Sequence, residues 1–255
     1  MSEYNFFDLS KRTDVEIEKQ ISEGFKFGEF DSTDHDLFLI SRDAPSPDSK
    51  DITESVPYMQ GVYDFSTLTN GERYFENRTI TYEMMLFNQE YSDRKVLESD
   101  IKRQLVPLDI QPLYDTHDKS FHWLGKVDGI SFDDDEKMRT LKVTITFNVY
   151  PFAIGNNSEG SDIWDDVYFP NWIFQDTKFT VNGTQSITLY NIGSRSVKSK
   201  IKVNGTIEVS GDFGSFELSN GTYDSTQLVF GVGTNVLTLS GNGTIKFVFY
   251  REEMI

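Results

Sequence analysis

From Thr140 to Val149 the chain alternates without a break, with Leu141, Val143, Ile145, Phe147 and Val149 separated by polar residues. A strict period of two puts these five side chains on one face of a β-strand, so the fold must supply a sheet and a core to cover them. The stretch before it, FHWLGKVDGISF, reads as the other arm of a hairpin, with Asp133, Asp134, Asp135 and Glu136 at its tip. Ile80, Tyr82, Met84 and Leu86 alternate in the same way, following Asn70-Gly71 as a turn. Phe25, Phe27 and Phe30, then Leu37, Leu39 and Ile40, suggest two short strands around a polar turn.

One segment breaks the pattern. YSDRKVLESDIKRQL predicts a helix over about 92–105, capped by Ser92 or Asp93, with Val96, Leu97, Ile101 and Leu105 on one face. Lys102 and Arg103 complement its C-terminal dipole, and Pro107 follows. Residues 42–57 carry three prolines and many acids but no apolar period. They read either as a solvated loop or as an extended arm lying on a neighbouring subunit, because proline limits the unfolded chain's freedom. Arg42, Pro45, Pro47 and Pro57 are the contact residues of that arm.

After Pro151 the sequence AIGNNSEGSD marks a boundary, giving an N-terminal domain 1–152, a linker 153–163 and a C-terminal domain 164–255. From Trp164 onward every segment is strand-like, which suggests a β-sandwich without a helix. This part holds four Asn-Gly-Thr triplets, at Asn182, Asn204, Asn220 and Asn242. Each is a glycosylation acceptor by motif and a turn by backbone chemistry, since both residues tolerate positive φ. The acidic N-terminus lacks a basic region and an apolar run, and the chain has no cysteine, so synthesis in a reducing cytoplasm without secretion is expected. The turn reading then prevails. A three-residue loop at Asn204 sets Val203 opposite Ile207 and Ile201 opposite Val209 on one apolar face; a loop centred on Asn242 sets Leu239 opposite Ile245.

Net charge is −17, with 17 basic against 30 acidic groups in residues 1–150 and 7 against 11 in residues 151–255. No run of Lys and Arg in the sequence supplies the phosphate neutralisation that nucleic acid or anionic lipid requires, and no stretch reaches the ~18 apolar residues of a membrane helix. The acidic run at 133–136 lacks the alternation and glycine of a calcium loop, and a solvated hairpin tip is its plainer account. His117 and His122 lie five apart near Asp115 and Asp118, not at the i, i+4 spacing of a helical zinc site, and His35 stands alone. Phosphate loops, nucleophile elbows and Ser-His-Asp arrangements are missing, so no catalytic, cofactor or metal residue is assigned. Trp123, Trp164 and Trp172 offer sugar stacking, but aromatics in β folds mostly fill cores.

The ordered stretches GFKFGEFDS, VPYMQGVYDFS, NGERYFENRTITYEM, WLGKVDGISFDDDEKMRTLKVTITFNVYPF and GVGTNVLTLSGNGTIKFVFYREE resemble the distal tail proteins of siphophages infecting Gram-positive bacteria, lactococcal ones in particular. The resemblance covers all but roughly the first 20 residues. It implies a mainly β fold, with a tail-tube-like N-terminal domain forming a homohexameric ring and a galectin-like or carbohydrate-module-like C-terminal sandwich. It further implies a place at the virion tail tip, where the ring joins the tail tube protein to the tail-tip protein and holds receptor-binding or baseplate adaptor proteins. The outer domain's length leaves no room for the arm insertion of some relatives, so direct docking of an adaptor is implied. Galectin sugar binding uses histidine, and residues 151–255 contain none. A carbohydrate-binding adhesin without catalysis is the alternative, and it predicts aromatic residues exposed on one sandwich face.

Overall fold

The computed structural model describes residues 23–67, 71–161 and 172–255, the side chains of 225–227 excepted. Asn70 and Trp164, both singled out above, lie outside these residues. In chain order the strands are β1 (Phe25–Phe27), β2 (Phe30–Asp31), β3 (Phe38–Asp43), β4 (Thr53–Glu54), β5 (Tyr63–Asp64) and β6 (Arg78–Leu86). Helix α1 (Tyr91–Leu105) precedes β7 (Gln111–Asp115), β8 (Phe121–Asp135), β9 (Thr140–Val149) and β10 (Ala153–Gly155). Then come β11 (Lys178–Asn191), β12 (Val197–Gly211), β13 (Gly214–Leu218), β14 (Gly221–Phe230), β15 (Gly233–Val248) and β16 (Glu252–Glu253). The fold is mainly β and has two compact units, one of residues 23–45, 77–118 and 124–149, the other of 46–67, 71–76, 119–123, 150–161 and 172–255.

In the first unit the strand order is β2-β1-β7-β8-β9-β6-β3. The alternation read from the sequence is the burial pattern: Leu141, Val143, Ile145, Phe147 and Val149 on β9, and Ile80, Tyr82, Met84 and Leu86 on β6, all face the core. Phe25 packs against Tyr82 at 4.7 Å and Phe147 at 5.2 Å, so β1 closes over β6 and β9 although it is remote from β6 in strand order. Leu37 is buried just before β3, whereas Ile40 within it is 50% exposed.

Helix α1 begins at Tyr91 with Glu90 as its N-cap, so Ser92 and Asp93 lie in its first turn rather than at the cap. Its buried face is Arg94, Leu97, Ile101 and Leu105; Val96 points to solvent. Apolar spacing placed Val96 on that face, but the position one turn before Leu97 is filled by a buried arginine. Arg94 donates from Nε to Asp134 at 2.5 Å, from Nη1 to the Gln89 carbonyl at 2.8 Å, and from Nη2 to Glu136. The acidic run therefore anchors the helix. Asp133–Asp135 are strand residues, and the turn proper is 136–139.

The second unit corrects the turn reading. Asn182-Gly183, Asn204-Gly205 and Asn242-Gly243 lie in the middle of β11, β12 and β15, which are 14, 15 and 16 residues long. Adjacent strands set Asn182 opposite Asn242, Asn242 opposite Thr206, and Gly205 opposite Gly243. The fourth triplet joins the same row. Asn220 lies between β13 and β14, which pair with successive halves of β12, and its Oδ1 accepts the Gly205 N–H. All four triplets thus form one line across the sheet.

The line is a crease. A straight 15-residue strand spans about 50 Å, against a radius of gyration of about 13 Å for a domain of ~100 residues. The strands must bend, and positive φ is how they do so: +116° at Gly205, +130° at Gly241 and +148° at Gly243. One core draws on both sides of the bend, including Ile201, Val203, Ile245 and Phe247 on one side and Ile207, Val209, Leu237 and Leu239 on the other. Val203 and Ile207 do share a buried face, but as residues four apart on one strand.

A β-carbon at Gly205, Gly241 or Gly243 would stand 2.2 Å from a backbone carbonyl oxygen of the next strand, whereas one at Gly183 (φ +89°) meets nothing within 4 Å. Gly183→Ala should therefore cost only the conformational penalty of about 1–2 kcal/mol. Gly205→Ala and Gly243→Ala should each cost more than about 3 kcal/mol, because strain and clash combine. Urea denaturation of the three variants gives the comparison.

Candidate functional site, an arm and its supports

The predicted arm residues fall in both units. In the first, Arg42 lies on β3 opposite Tyr82 of β6, and Pro45 follows β3, exposed. In the second, Pro47 is buried and Pro57 exposed.

Arg42 belongs to a buried polar cluster. Its Nε donates to Asp115 Oδ2 at 2.5 Å and its Nη2 to Asp118 Oδ2 at 2.7 Å. Tyr82 Oη donates to the same Asp115 oxygen at 2.6 Å, and the His117 N–H donates to Asp115 Oδ1 at 2.8 Å. The Asp115 side chain is fully buried, so these partners replace the water it has lost. Burial works to lower the Arg42 pKa, yet Asp115 beside it holds the guanidinium above its ordinary value. Burial, reinforced by the Asp115 charge, pushes the Tyr82 phenol well up. Arg78 donates from Nη2 to the Ala44 carbonyl at 2.6 Å, which pins the chain where it leaves β3. Arg42 is thus a support inside its own unit.

In the second unit residues 46–67 and 71–76 form a double-stranded excursion rather than an open loop. Its legs pair through Ser49 and Phe75, with Lys50 N–H to the Tyr74 carbonyl and Glu76 N–H to the Asp48 carbonyl, both 2.8 Å. Farther out β4 and β5 pair, and Ser66 Oγ accepts the Ile52 N–H at 2.9 Å. At the root, Phe75 meets Phe152 at 5.6 Å, Glu72 accepts from Ser196, and Arg195 lies 5.3 Å over the Phe152 ring. Tyr150, bonded there to Glu252 at 2.9 Å, is pushed up to about 12 by burial and the Glu252 charge. The root is packed and its far end is bare: Ile52, Val56, Val62 and Tyr63 are about half exposed, and Tyr58 is fully exposed at φ +70°. Tyr58 takes its positive φ in a turn that the Met59 N–H closes on the Val56 carbonyl at 3.1 Å, and its side chain stands unpacked. Proline spacing suggested an extended segment; the pairing of its legs came from residues 72–76, too far along the chain for local patterns to reveal.

The histidines serve structure. His117 Nδ1 is 3.0 Å from Asp115, His122 Nδ1 is 2.8 Å from Asn156 Oδ1, and His35 stacks on Phe30. Among the described residues no group of three His, Asp or Glu is placed to hold a metal ion, and no helix is long and apolar enough to cross a membrane.

No family model matches the sequence, and no curated protein does. Solved structures do match. SPP1 Dit (gp 19.1), described as a paradigm of the hub adsorption apparatus in phages infecting Gram-positive bacteria, superposes with a TM-score of 0.62 at 12% identity, over 90% of this chain and 98% of that one. Two structures of the phage P2 baseplate in its activated conformation, with calcium and with strontium, align with TM-scores of 0.43 and 0.41 at 10% and 9% identity. They cover 91% and 90% of this chain and 98% of each of theirs. Over the matched 90% of its length the chain has the fold of SPP1 Dit.

Removing the Asp115 charge leaves Arg42 with only the partly exposed Asp118 as counterion, so Asp115→Asn should cost about 3 kcal/mol, the low end for a broken buried pair. Urea denaturation gives the magnitude, and faster amide exchange in peptides 78–86 and 140–149 locates it. Burial raises the Asp118 carboxyl despite Arg42. The folded state then holds this proton more tightly than the unfolded chain, so its contribution is full below the ordinary value of 3.8 and is lost as pH rises through the raised one. Asp118→Asn should flatten that part of the curve of urea midpoint against pH.

Proposed function

We propose that the protein is a structural, non-catalytic hub of a siphophage tail tip, forming a hexameric ring that joins the tail tube to the tail-tip protein and carries baseplate or receptor-binding proteins. The fold shared with SPP1 Dit over nearly the whole of both chains is the observation that carries this reading. Closed rings are the usual solution for repeated heterologous contacts. The arm fits that role: a packed root, half-exposed apolar residues and a bare tyrosine form a surface whose burial on a neighbouring copy stabilises the assembly. In that ring Pro47 and Pro57 shape the arm, while Arg42 and Pro45 hold the strand that leads to it. The acidity of residues 1–150, with 17 basic against 30 acidic groups, would keep passing DNA from adhering to a lumen they line. The adhesin alternative predicts a row of exposed aromatics on one sheet face. In the second unit's sheet Tyr190, Phe213 and Tyr250 are exposed, but on β11, in the turn after β12, and beyond β15.

Light scattering on the purified 29.3 kDa chain should give a mass of about 176 kDa, six copies. Tyr58→Ser with Val62→Ser should shift it toward smaller species without changing the circular dichroism. A monomer at every concentration that binds host polysaccharide saturably would overturn the hub in favour of the adhesin.

A further inference from the structure

All five lysines after position 150 lie on the outer face of the second unit's sheet, although they come from three strands. Lys178 of β11 is directly opposite Lys246 of β15, and Lys246 is directly opposite Lys202 of β12. This is a row of three ammonium groups on strands about 4.8 Å apart. Lys198 and Lys200 continue along β12 on the same face, at alternate positions about 6.6 Å apart. The only other basic residues in this part, Arg195 and Arg251, are engaged with Glu252 and with Glu159 and Glu253. A depression of about 600 Å³ opens between Lys198, Lys200, Lys202, Asp224, Val248 and Tyr250.

Like charges directly opposite on a sheet are destabilising, and nothing in the fold requires three in a row. Lys200 has a carboxylate at 3.3 Å, Asp224, and Glu208 stands farther along the same face of β12, while Asp176 precedes β11. No ion pair joins Lys178, Lys202 or Lys246 to a carboxylate among the described residues. The distant acids that make the whole chain −17 are screened beyond about 8–10 Å.

We propose that this face binds a linear polyanion bearing phosphate groups. The choice of phosphate polymer over acidic protein rests on residue type. Protein interfaces favour arginine and are poor in lysine, and planar carboxylates are best met by the guanidinium fork. Here every cation is a lysine, a compact point charge suited to successive phosphates without a fixed orientation. Thr222, opposite Lys202, is an exposed hydroxyl beside the row, and Tyr250 places a phenol at the rim of the depression. This site is independent of ring formation and does not rest on the hub reading.

The test uses fluorescent inorganic polyphosphate of about 15 units with the full chain, read by anisotropy between 50 and 200 mM NaCl. About four or five neutralised phosphates should give a slope of log K against log salt near −3. Lys178→Gln/Lys202→Gln/Lys246→Gln should weaken binding at least tenfold, while Lys137→Gln, in the other unit, leaves it unchanged. The triple variant should melt no lower than the parent, since it loses repulsion, and that separates loss of the site from loss of the fold. Competition by a 15-nucleotide single-stranded DNA supports the site with a nucleic-acid backbone as a sufficient source; polyphosphate binding without such competition supports it with a non-nucleic polymer. Polyglutamate binding as tightly as polyphosphate, an unaffected triple variant, or no binding at 50 mM salt would each overturn the proposal.

Discussion

Three carbonyl oxygens, those of Asn242, Thr206 and Asn204, sit where β-carbons would otherwise be at Gly205, Gly241 and Gly243, and the whole second unit depends on that close approach. It lets strands of 14 to 16 residues bend together at one level, so that both ends of each strand contribute to a single core. The balance favours the bend clearly. Each glycine costs roughly 0.5–1 kcal/mol in chain entropy, while each fully buried Ile, Leu or Phe contributes roughly 1.5–3 kcal/mol. Ile201, Ile207, Leu239, Ile245 and Phe247 alone, all at 0% exposure, outweigh three glycines.

The first unit solves the corresponding problem with charge. Its seven strands end in β3, and β3 is tied through Arg42 to the end of β7, which is remote from it in strand order. Asp115 receives Arg42 and Tyr82 together, and its neighbour His117 steadies the second oxygen, so one buried carboxylate ties β3 and β6 to the end of β7. Arg94 does the same between α1 and the end of β8. Buried ion pairs of this kind add little net stability over apolar packing, but they tolerate few alternative arrangements. Here they join β3 to β7 and α1 to β8, elements that are not neighbours in the strand order.

What was legible in the sequence follows from range. Period-two patterns on β6 and β9 and the helical spacing of Leu97, Ile101 and Leu105 are local, and local burial reproduces them. The Asn-Gly triplets were visible but misread, because a residue able to take positive φ can reverse a chain or merely crease it. Only the partners across the sheet decide which, and the register pairing Asn182 with Asn242 is not a local property. Arg94 was missed for a related reason. A charged residue enters a core when distant acids complete it, and those acids lie 40 and 42 residues away. The arm's prolines were found, yet its shape depends on Tyr74 and Glu76, which pair with Lys50 and Asp48.

Summed charge hides structure in the same way. In a chain of −17 only Lys198, Lys200 and Lys202 lie close together in sequence after position 150, and strand register adds Lys178 and Lys246 beside them. The surface then carries two departures from what stability alone would select: Tyr58 at positive φ with no packing, and three lysines aligned across adjacent strands. Interiors rarely keep such features, because packing and charge pairing penalise them without return. Both lie instead on exposed surface, one at the tip of a rooted hairpin and one on the outer face of a stiff sheet. An unpacked aromatic at a hairpin tip and a row of aligned like charges are features that another molecule can cover or neutralise.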